Sequence, residues 1–371
     1  MRVLLLFDLP HWTGLGEYAL QMYQLMSKNI ENVRLVYVGA VADYHSFYSN
    51  LPYLKRTRVW ALRPLTIRKN YQKILNDPEF KNYIIHYLGY DVSALKTRPG
   101  VLTVHDVLRE NIRDKIHLLK QLKIKELIVS IYRNRQIQQT IKLCPIAPVV
   151  VSISKKTANE LKNVSEKDSI TIYHWTSLSR FHKRNPTEVL PVVNLQPDFR
   201  YLLAVGNNRP NKRIDLLRKF SSYLPPGFKL IKIGAPIESD KVINVGTVDD
   251  NTYPLYFNCS ECYVHLSEDE GFGRPLIEAI SSEIPIVCRV NAINEELLGD
   301  SAFYLGEHFT LDDVSNLIEK LTNTKTLEMT RSKIVSRQIL FDPDVALKQY
   351  LSIYSDVSQD LEFRSDRINI N

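Results

Sequence analysis

Glu270 and Glu278 bracket the run Gly271-Phe272-Gly273-Arg274-Pro275-Leu276-Ile277. Two carboxylates here flank a glycine-rich turn and the expected start of a helix. Pro275 suits the first helical turn, where its missing N–H would have no intrahelical partner anyway. Such a turn aims backbone N–H groups and the positive end of a helix at one point, the chemistry of an anion site. A carboxylate at each edge of an anion site makes sense when the ligand also carries vicinal hydroxyls. A sugar nucleotide has both features: a diphosphate with a ribose on one side and a hexose on the other.

Further groups could serve the same ligand. Val205-Gly206-Asn207-Asn208-Arg209-Pro210-Asn211-Lys212-Arg213 reads as a strand running into a loop with three cations. Fixed Arg or Lys groups stabilise the negative charge that develops on a departing diphosphate. Gly14-Leu15-Gly16 follows the first strand, where small residues let a phosphate or sugar approach the backbone. His105-Asp106 closes another strand, which would point the imidazole into an interdomain cleft. Taken singly, each also fits a plain structural role: a solvated loop, a tight turn, a core histidine. Cys259-Ser260-Glu261-Cys262 is a single C-x-x-C without a second pair, so buried structural thiols are expected. Asp342-Pro343-Asp344 is formally a D-x-D, but helical periodicity follows in residues 345–354, which predicts a helix cap rather than a metal site.

Positioning these groups takes sheets with open carboxyl ends. Residues 2–7 form a continuous apolar strand, the kind covered on both faces of a parallel sheet. Helical spacing follows through Tyr18, Leu20, Met22, Tyr23 and Leu25. Residues 33–38, 83–86, 101–104 and 149–151 read as further strands. The pattern lapses between Thr176 and Pro197, then restarts with strands at 201–205, 230–233, 263–266 and 284–287 and a helix near 214–220. Strand and helix alternate, so the fold class is α/β, with two doubly wound parallel-sheet domains facing across a cleft. The expected boundaries are 1–178 for the first domain, 179–198 for a linker, 199–342 for the second, and 343–371 for a final helix and tail.

Composition narrows the class. The chain has 371 residues, 44% hydrophobic and 24% charged, enough for sizeable globular cores. No stretch approaches the ~18–20 apolar residues of a membrane span. The apolar run of residues 3–7 is cut by Asp8, so the start does not read as a secretion signal. Four cysteines point to a reducing, cytoplasmic setting. The net charge of +7 is concentrated. Residues 54–73 hold Lys55, Arg56, Arg58, Arg63, Arg68, Lys69 and Lys73 with no acid. Residues 112–143 hold eight basic residues against Asp114 and Glu126, with Ile112, Ile116, Leu119, Leu127 and Ile131 at roughly helical spacing. Such a face suits an anionic membrane surface or nucleic acid; nucleic-acid motifs are weak.

Together the motifs resemble glycosyltransferase family 4, retaining enzymes of the GT-B architecture with two Rossmann-like domains. The run from Leu266 through Glu270-Gly271-Phe272-Gly273-Arg274-Pro275 to Glu278-Ala279 is similar to the family's P-S-x-x-E-G-F-G-x-P-x-x-E-A signature. Gly14-Leu15-Gly16-Glu17-Tyr18, Thr103-Val104-His105-Asp106-Val107, Val151-Ser152-Ile153-Ser154, the 209–212 loop and Glu296-Leu297-Leu298-Gly299-Asp300 also match. The sequence departs from the pattern at Leu266, Glu283, the spacing of Arg209 and Lys212, and Tyr173-His174-Trp175. The resemblance implies that Glu278 holds the ribose hydroxyls and Glu270 the hexose. It implies that the backbone of Phe272, Gly273 and Arg274 binds sugar and phosphate, and that Arg209 and Lys212 neutralise the diphosphate. His105 would stand beside the reacting centre, and Gly14 and Gly16 would shape the loop over the diphosphate. His105, Glu270 and Lys212 are thus the expected catalytic group. No metal and no cofactor is required. The implied activity moves a hexose, mannose first and glucose second, from a GDP-mannose or UDP-glucose type donor to a glycan or lipid-linked acceptor. It would act in the cytoplasm or peripherally on the cytoplasmic membrane face. The alternatives are a non-catalytic sugar-nucleotide-binding relative and a nucleic-acid-binding protein using the basic face.

Overall fold

Five buried apolar residues in succession make Arg2–Phe7 (β1) a strand covered on both faces. A computed structural model describes residues 1–9, 13–38, 63–107 and 124–368 of the chain, of which 63–66, 124–129 and 360–368 as backbone only. After β1 come Gly14–Ser27 (α1), Asn32–Tyr37 (β2), Arg63–Leu75 (α2), Ile84–Tyr87 (β3) and Val101–Val104 (β4). Ile124–Leu143 (α3), Val150–Ser152 (β5), Lys155–Ser165 (α4) and Ile170–Thr171 (β6) follow. The strands form one parallel sheet in the order β2-β1-β3-β4-β5-β6. Leu4, Leu6, Val36, Ile85, Leu102 and Val150 are among the residues of its core.

The scheme then repeats. Pro186–Val189 (α5) leads to Arg200–Gly206 (β7), Ile214–Ser222 (α6), Phe228–Gly234 (β8) and Val242–Gly246 (β9). Next come Tyr253–Asn258 (α7), Cys262–His265 (β10), Arg274–Ser281 (α8), Ile286–Arg289 (β11), Ala292–Leu298 (α9) and Phe303–Leu305 (β12). Leu311–Thr322 (α10), Thr324–Arg337 (α11) and Pro343–Ile368 (α12) complete the chain. This second parallel sheet runs β12-β11-β10-β7-β8-β9. Strand order therefore reverses between β7 and β10, and a crevice opens at the carboxyl ends of two such strands.

The chain divides into two compact units: Met1–His174 with Pro343–Asn371, and Trp175–Asp342. Helix α12 belongs to the first. Its Tyr350 hydroxyl lies 2.6 Å from that of Tyr18, and its Tyr354 hydroxyl 2.6 Å from Nδ1 of His86. In the second unit the residues after 174 run along the domain itself: Thr176 Oγ1 meets Ser281 Oγ at 2.5 Å, and the Arg184 N–H donates to Asn258.

All four cysteines are free and buried, as the lone C-x-x-C foretold. Burial pushes the Cys259 thiol up to about 12. Strands β6, β9 and β12 escape a reading by periodicity because they are short or half-exposed at sheet edges. Helix α3 corrects the expected apolar stripe: Ile131 is exposed, and Ser130, Asn134, Ile137 and Thr140 face inward instead. Lys55, Arg56, Arg58, Ile112, Ile116 and Leu119 lie outside the described residues, as do the side chains of Arg63 and Leu127.

Candidate active site

In the second unit, the loops leaving β7 and β10 meet at the point where strand order reverses. The Glu268 N–H donates to the carbonyl of Asn211 at 2.7 Å, and Asn211 Nδ2 donates to the carbonyl of Asp269 at 2.9 Å. These bonds lay the two loops side by side and join Lys212 to Glu270 in an ion pair with both side chains largely covered. Burial pushes the Glu270 carboxyl upward, but Lys212, His265 and Ser267 outweigh it and hold the group below its ordinary value. It is therefore ionised at neutral pH. Lys212 also lines a small recess, with room for about one water, together with Gly206, Asn207, Lys232, His265 and Ser267.

The three cations of the β7 loop have separate fates. Arg213 is held by Asp215 at 2.9 Å and Glu307 at 2.8 Å, so it fastens the loop to its own unit. Lys212 faces Glu270. Arg209 is exposed and makes no ion pair among the described residues. A short helical turn at Pro210–Lys212 follows Arg209, and Lys212 at its end is largely covered while Arg209 stays exposed.

Gly273 caps α8 with φ +87°, and no side chain caps that helix start. A side chain at Gly273 would meet Leu276 at 2.9 Å. Arg274 and Pro275 supply the first turn, with Phe272 packed on Phe341. Leu276 through Ser281 of α8 are all buried, and Glu278 lies among them, 6% exposed. The Tyr253 hydroxyl donates to Glu278 Oε2 at 2.7 Å and fixes the carboxylate's direction. Burial, then the Glu278 charge, raises the Tyr253 phenol well above its ordinary value.

In the first unit, Gly14 and Gly16 lie inside the first turn of α1, and the Gly16 N–H donates to the Thr13 hydroxyl at 3.1 Å. His105 follows β4 and is 3% exposed. Its Nε2 donates to the Leu88 carbonyl at 2.9 Å. Tyr18 and His174 stack at 4.3 Å, and His105 lies beside the stack, roughly perpendicular to both rings at 5.0 and 5.4 Å between centroids. Asp106 accepts from Tyr90 at 2.6 Å and from Arg133 at 3.0 Å. Asp8, fully buried after β1, accepts from the N–H groups of Tyr90 and Asp91 and from Gln136.

The structure thus holds Arg209, Lys212, Glu270, Phe272, Gly273, Arg274 and Glu278 in one unit, and Gly14, Gly16 and His105 in the other. Sequence reasoning missed Lys232, His265 and Tyr253 in the second unit, and Asp8, Tyr90, Arg133 and His174 in the first. For Lys232 and His265 a signal existed: each interrupts an otherwise apolar buried strand.

Residues 187–337 match the family described as Glycosyl transferases group 1. The chain is 22% identical over 379 residues to O-antigen chain mannosyltransferase B of Escherichia coli, covering 92% of this chain and 96% of that one. It is 25% identical over 232 residues to N-acetyl-alpha-D-glucosaminyl L-malate synthase of Bacillus anthracis, covering 57% of this chain and 60% of that one. Among solved structures, Anabaena HepE in complex with UDP-glucose superposes with a TM-score of 0.69 at 15% identity, covering 96% of this chain and 100% of that one. Sucrose-phosphate synthase from Thermosynechococcus elongatus gives 0.69 at 16% identity, over 96% of this chain and 99% of that one. These superpositions show the shared fold.

Proposed function

We propose that this chain, a glycosyltransferase of the group 1 kind on a GT-B fold, moves a hexose from a nucleotide-sugar donor to a hydroxyl of a glycan or glycolipid. The anomeric configuration is retained. The observation that carries the proposal is the covered Lys212–Glu270 pair beside the uncapped start of the helix that bears Glu278. An incoming diphosphate displaces Glu270 from Lys212 and takes the ammonium for itself. Glu270 is then free to accept from the hexose hydroxyls, so a single exchange of partners fits both ends of the donor. Arg209 adds a second cation, and the backbone of Phe272, Gly273 and Arg274 offers N–H groups to phosphate and sugar. Glu278, aimed by Tyr253, accepts from the ribose hydroxyls. The family resemblance assigns His105 of the first unit to the reacting end of the donor, and Gly14 and Gly16 to the diphosphate.

Cations on the departing phosphate lower the barrier to its loss. The phosphate oxygen released on that face takes the acceptor's proton, so retention needs no enzyme nucleophile and no metal. GDP-mannose is the first donor choice, in line with the O-antigen chain mannosyltransferases among the relatives. UDP-glucose is the second, the sugar nucleotide bound by Anabaena HepE. We place the protein in the cytoplasm, with the basic segments 54–73 and 112–143 docking it on anionic lipid. No helix among the described residues is long and apolar enough to cross a membrane.

Binding and hydrolysis of GDP- and UDP-sugars by purified protein test the reading. One of them should bind with a dissociation constant in the micromolar range and release its nucleotide slowly. A protein that binds no sugar nucleotide is not this enzyme. Flotation with anionic against neutral liposomes tests docking; equal recovery counts against it.

A further inference from the structure

Lys232 is a lysine in the wrong surroundings. It stands in the middle of β8 between Ile231 and Ile233, 1% exposed. Buried lysines are normally paired with a carboxylate, yet no salt bridge of Lys232 exists among the described residues. Its Nζ donates to the Gly206 carbonyl at 2.6 Å and to the Ile233 carbonyl at 2.8 Å. An ammonium has three protons, and two carbonyls use two of them. The side chain also lines the same small recess as Lys212.

The carbonyl that Lys232 grips is itself central. Gly206 O also accepts from the Ala235 N–H at 3.0 Å. The stem of Lys212 lies against Gly206, with its Cδ 3.6 Å from where a side chain would begin. Lys232 therefore holds the last residue of β7, and that residue supports Lys212.

We propose that Lys232 is a positioning residue for the anionic end of the donor, setting Lys212 in place and taking up a proton from solvent when the diphosphate arrives. The inference rests on the donor assignment given above. Burial, and then the Lys212 charge, lowers the amine to about 8. Near that pH the free protein holds a mixture of ammonium and neutral amine. The neutral amine still has two N–H groups, enough for both carbonyls, so the clamp survives deprotonation and only the third proton is lost. A phosphate held by Lys212 brings negative charge to the edge of the recess, which favours the ammonium over the neutral amine. Lys212 and His265 are the other titratable side chains lining the recess, and Glu270 is paired with Lys212. Burial holds His265 down to about 4. The register partners of Lys232 on the flanking strands are Ala204 and Asn244, which do not ionise.

The sign follows by linkage. Binding raises the amine's pKa, so donor affinity is fully present below pH 8 and declines as pH rises through it. Isothermal titration of the full-length protein with UDP and GDP, from pH 7 to 9.5, reads this directly. Buffers with different heats of ionisation count the protons. In the wild type, affinity should fall up to about tenfold between pH 7.5 and 9, with uptake of about half a proton at pH 8. Lys232→Arg keeps a permanent charge and should bind with no such step. Lys232→Met should bind weakly and evenly across the range, its folding checked by thermal melting. The wild-type proton count decides the matter even if that variant does not fold. Binding without proton uptake, or a pH step that survives in Lys232→Arg, overturns the role of Lys232 and leaves the donor assignment standing. Failure of both nucleotides to bind at any pH brings down the donor assignment and this inference with it.

Discussion

At the scale of single residues, Glu278 and Tyr253 separate binding from orientation. Glu278→Gln keeps the shape but halves the acceptor capacity for a pair of hydroxyls, so nucleoside diphosphate affinity should fall about 10–100-fold. Tyr253→Phe removes only the 2.7 Å bond that aims the carboxylate, and a loss of a few-fold is expected. Equal effects from both, measured by titration, would show that Glu278 is a structural partner of Tyr253 and nothing more. His105→Ala should lower kcat more than it raises KM. Buried imidazoles add a pH dependence to stability. Burial depresses His86 to about 3 and His265 to about 4 from the ordinary 6.5. The unfolded chain gains protons as pH falls through 6.5, while the folded chain does not until about 4 or 3. Stability is therefore lost on acidification, by up to about 1.4 kcal/mol per pH unit for each histidine. The melting temperature should drop between pH 7 and 5, above the range where ordinary carboxylates titrate, and a flat profile there would contradict two neutral imidazoles. Of these residues, Glu270 and Glu278 were legible in the sequence because a linear motif carries them. Tyr253 was not: it reaches Glu278 from another helix, and only tertiary packing brings an ordinary-looking Tyr to a carboxylate.

At the scale of elements, the paired ends of β7 and β8 support the candidate site. Gly206 and Gly234 are register partners at the carboxyl ends of these strands. Gly234 has φ +94°, and a side chain there would begin 2.4 Å from the Gly206 carbonyl oxygen. Gly234→Ala therefore meets both backbone strain and a collision with main chain that cannot rotate away. A loss of at least about 2 kcal/mol is expected in denaturant unfolding, together with weaker nucleotide binding because Lys212 stands on Gly206. Unchanged stability would mean that the strand ends are free to part. The central strands were readable as unbroken apolar runs, since both faces of a parallel sheet are covered. Val242–Gly246 was not, because it lies at the edge with no fully buried residue to set a period. The β7 loop illustrates the other limit of sequence. Three cations in five residues look alike in a string, and only the fold commits Arg213 to Asp215 and Glu307 and turns Lys212 toward Glu270.

At the scale of the molecule, the chain leaves its first unit after His174, builds the second, and returns at Pro343. The first unit is therefore closed by a helix made last. Ala346, Tyr350, Ile353, Tyr354 and Val357 of α12 are all buried. Each large apolar side chain so covered contributes roughly 1.5–3 kcal/mol, so the helix supplies stabilisation comparable with the 5–15 kcal/mol of a typical domain. It also brings a polar contact that no other element replaces, since His86 bonds Tyr354 through Nδ1 and Thr103 through Nε2 inside the core. A chain truncated after Asp342 should lose the folded first unit while the second, continuous in sequence, stays folded. Limited proteolysis should degrade residues 1–174 and spare 175–342, and one of two thermal transitions should vanish. Tyr354→Phe keeps the helix and removes only the hydroxyl, leaving a buried imidazole nitrogen without its partner. About 1–3 kcal/mol should then be lost from the first unit alone. A truncated chain that resists protease along its whole length would show that the first sheet is complete without α12, and that the pairing of Tyr350 and Tyr354 with Tyr18 and His86 adds little to it.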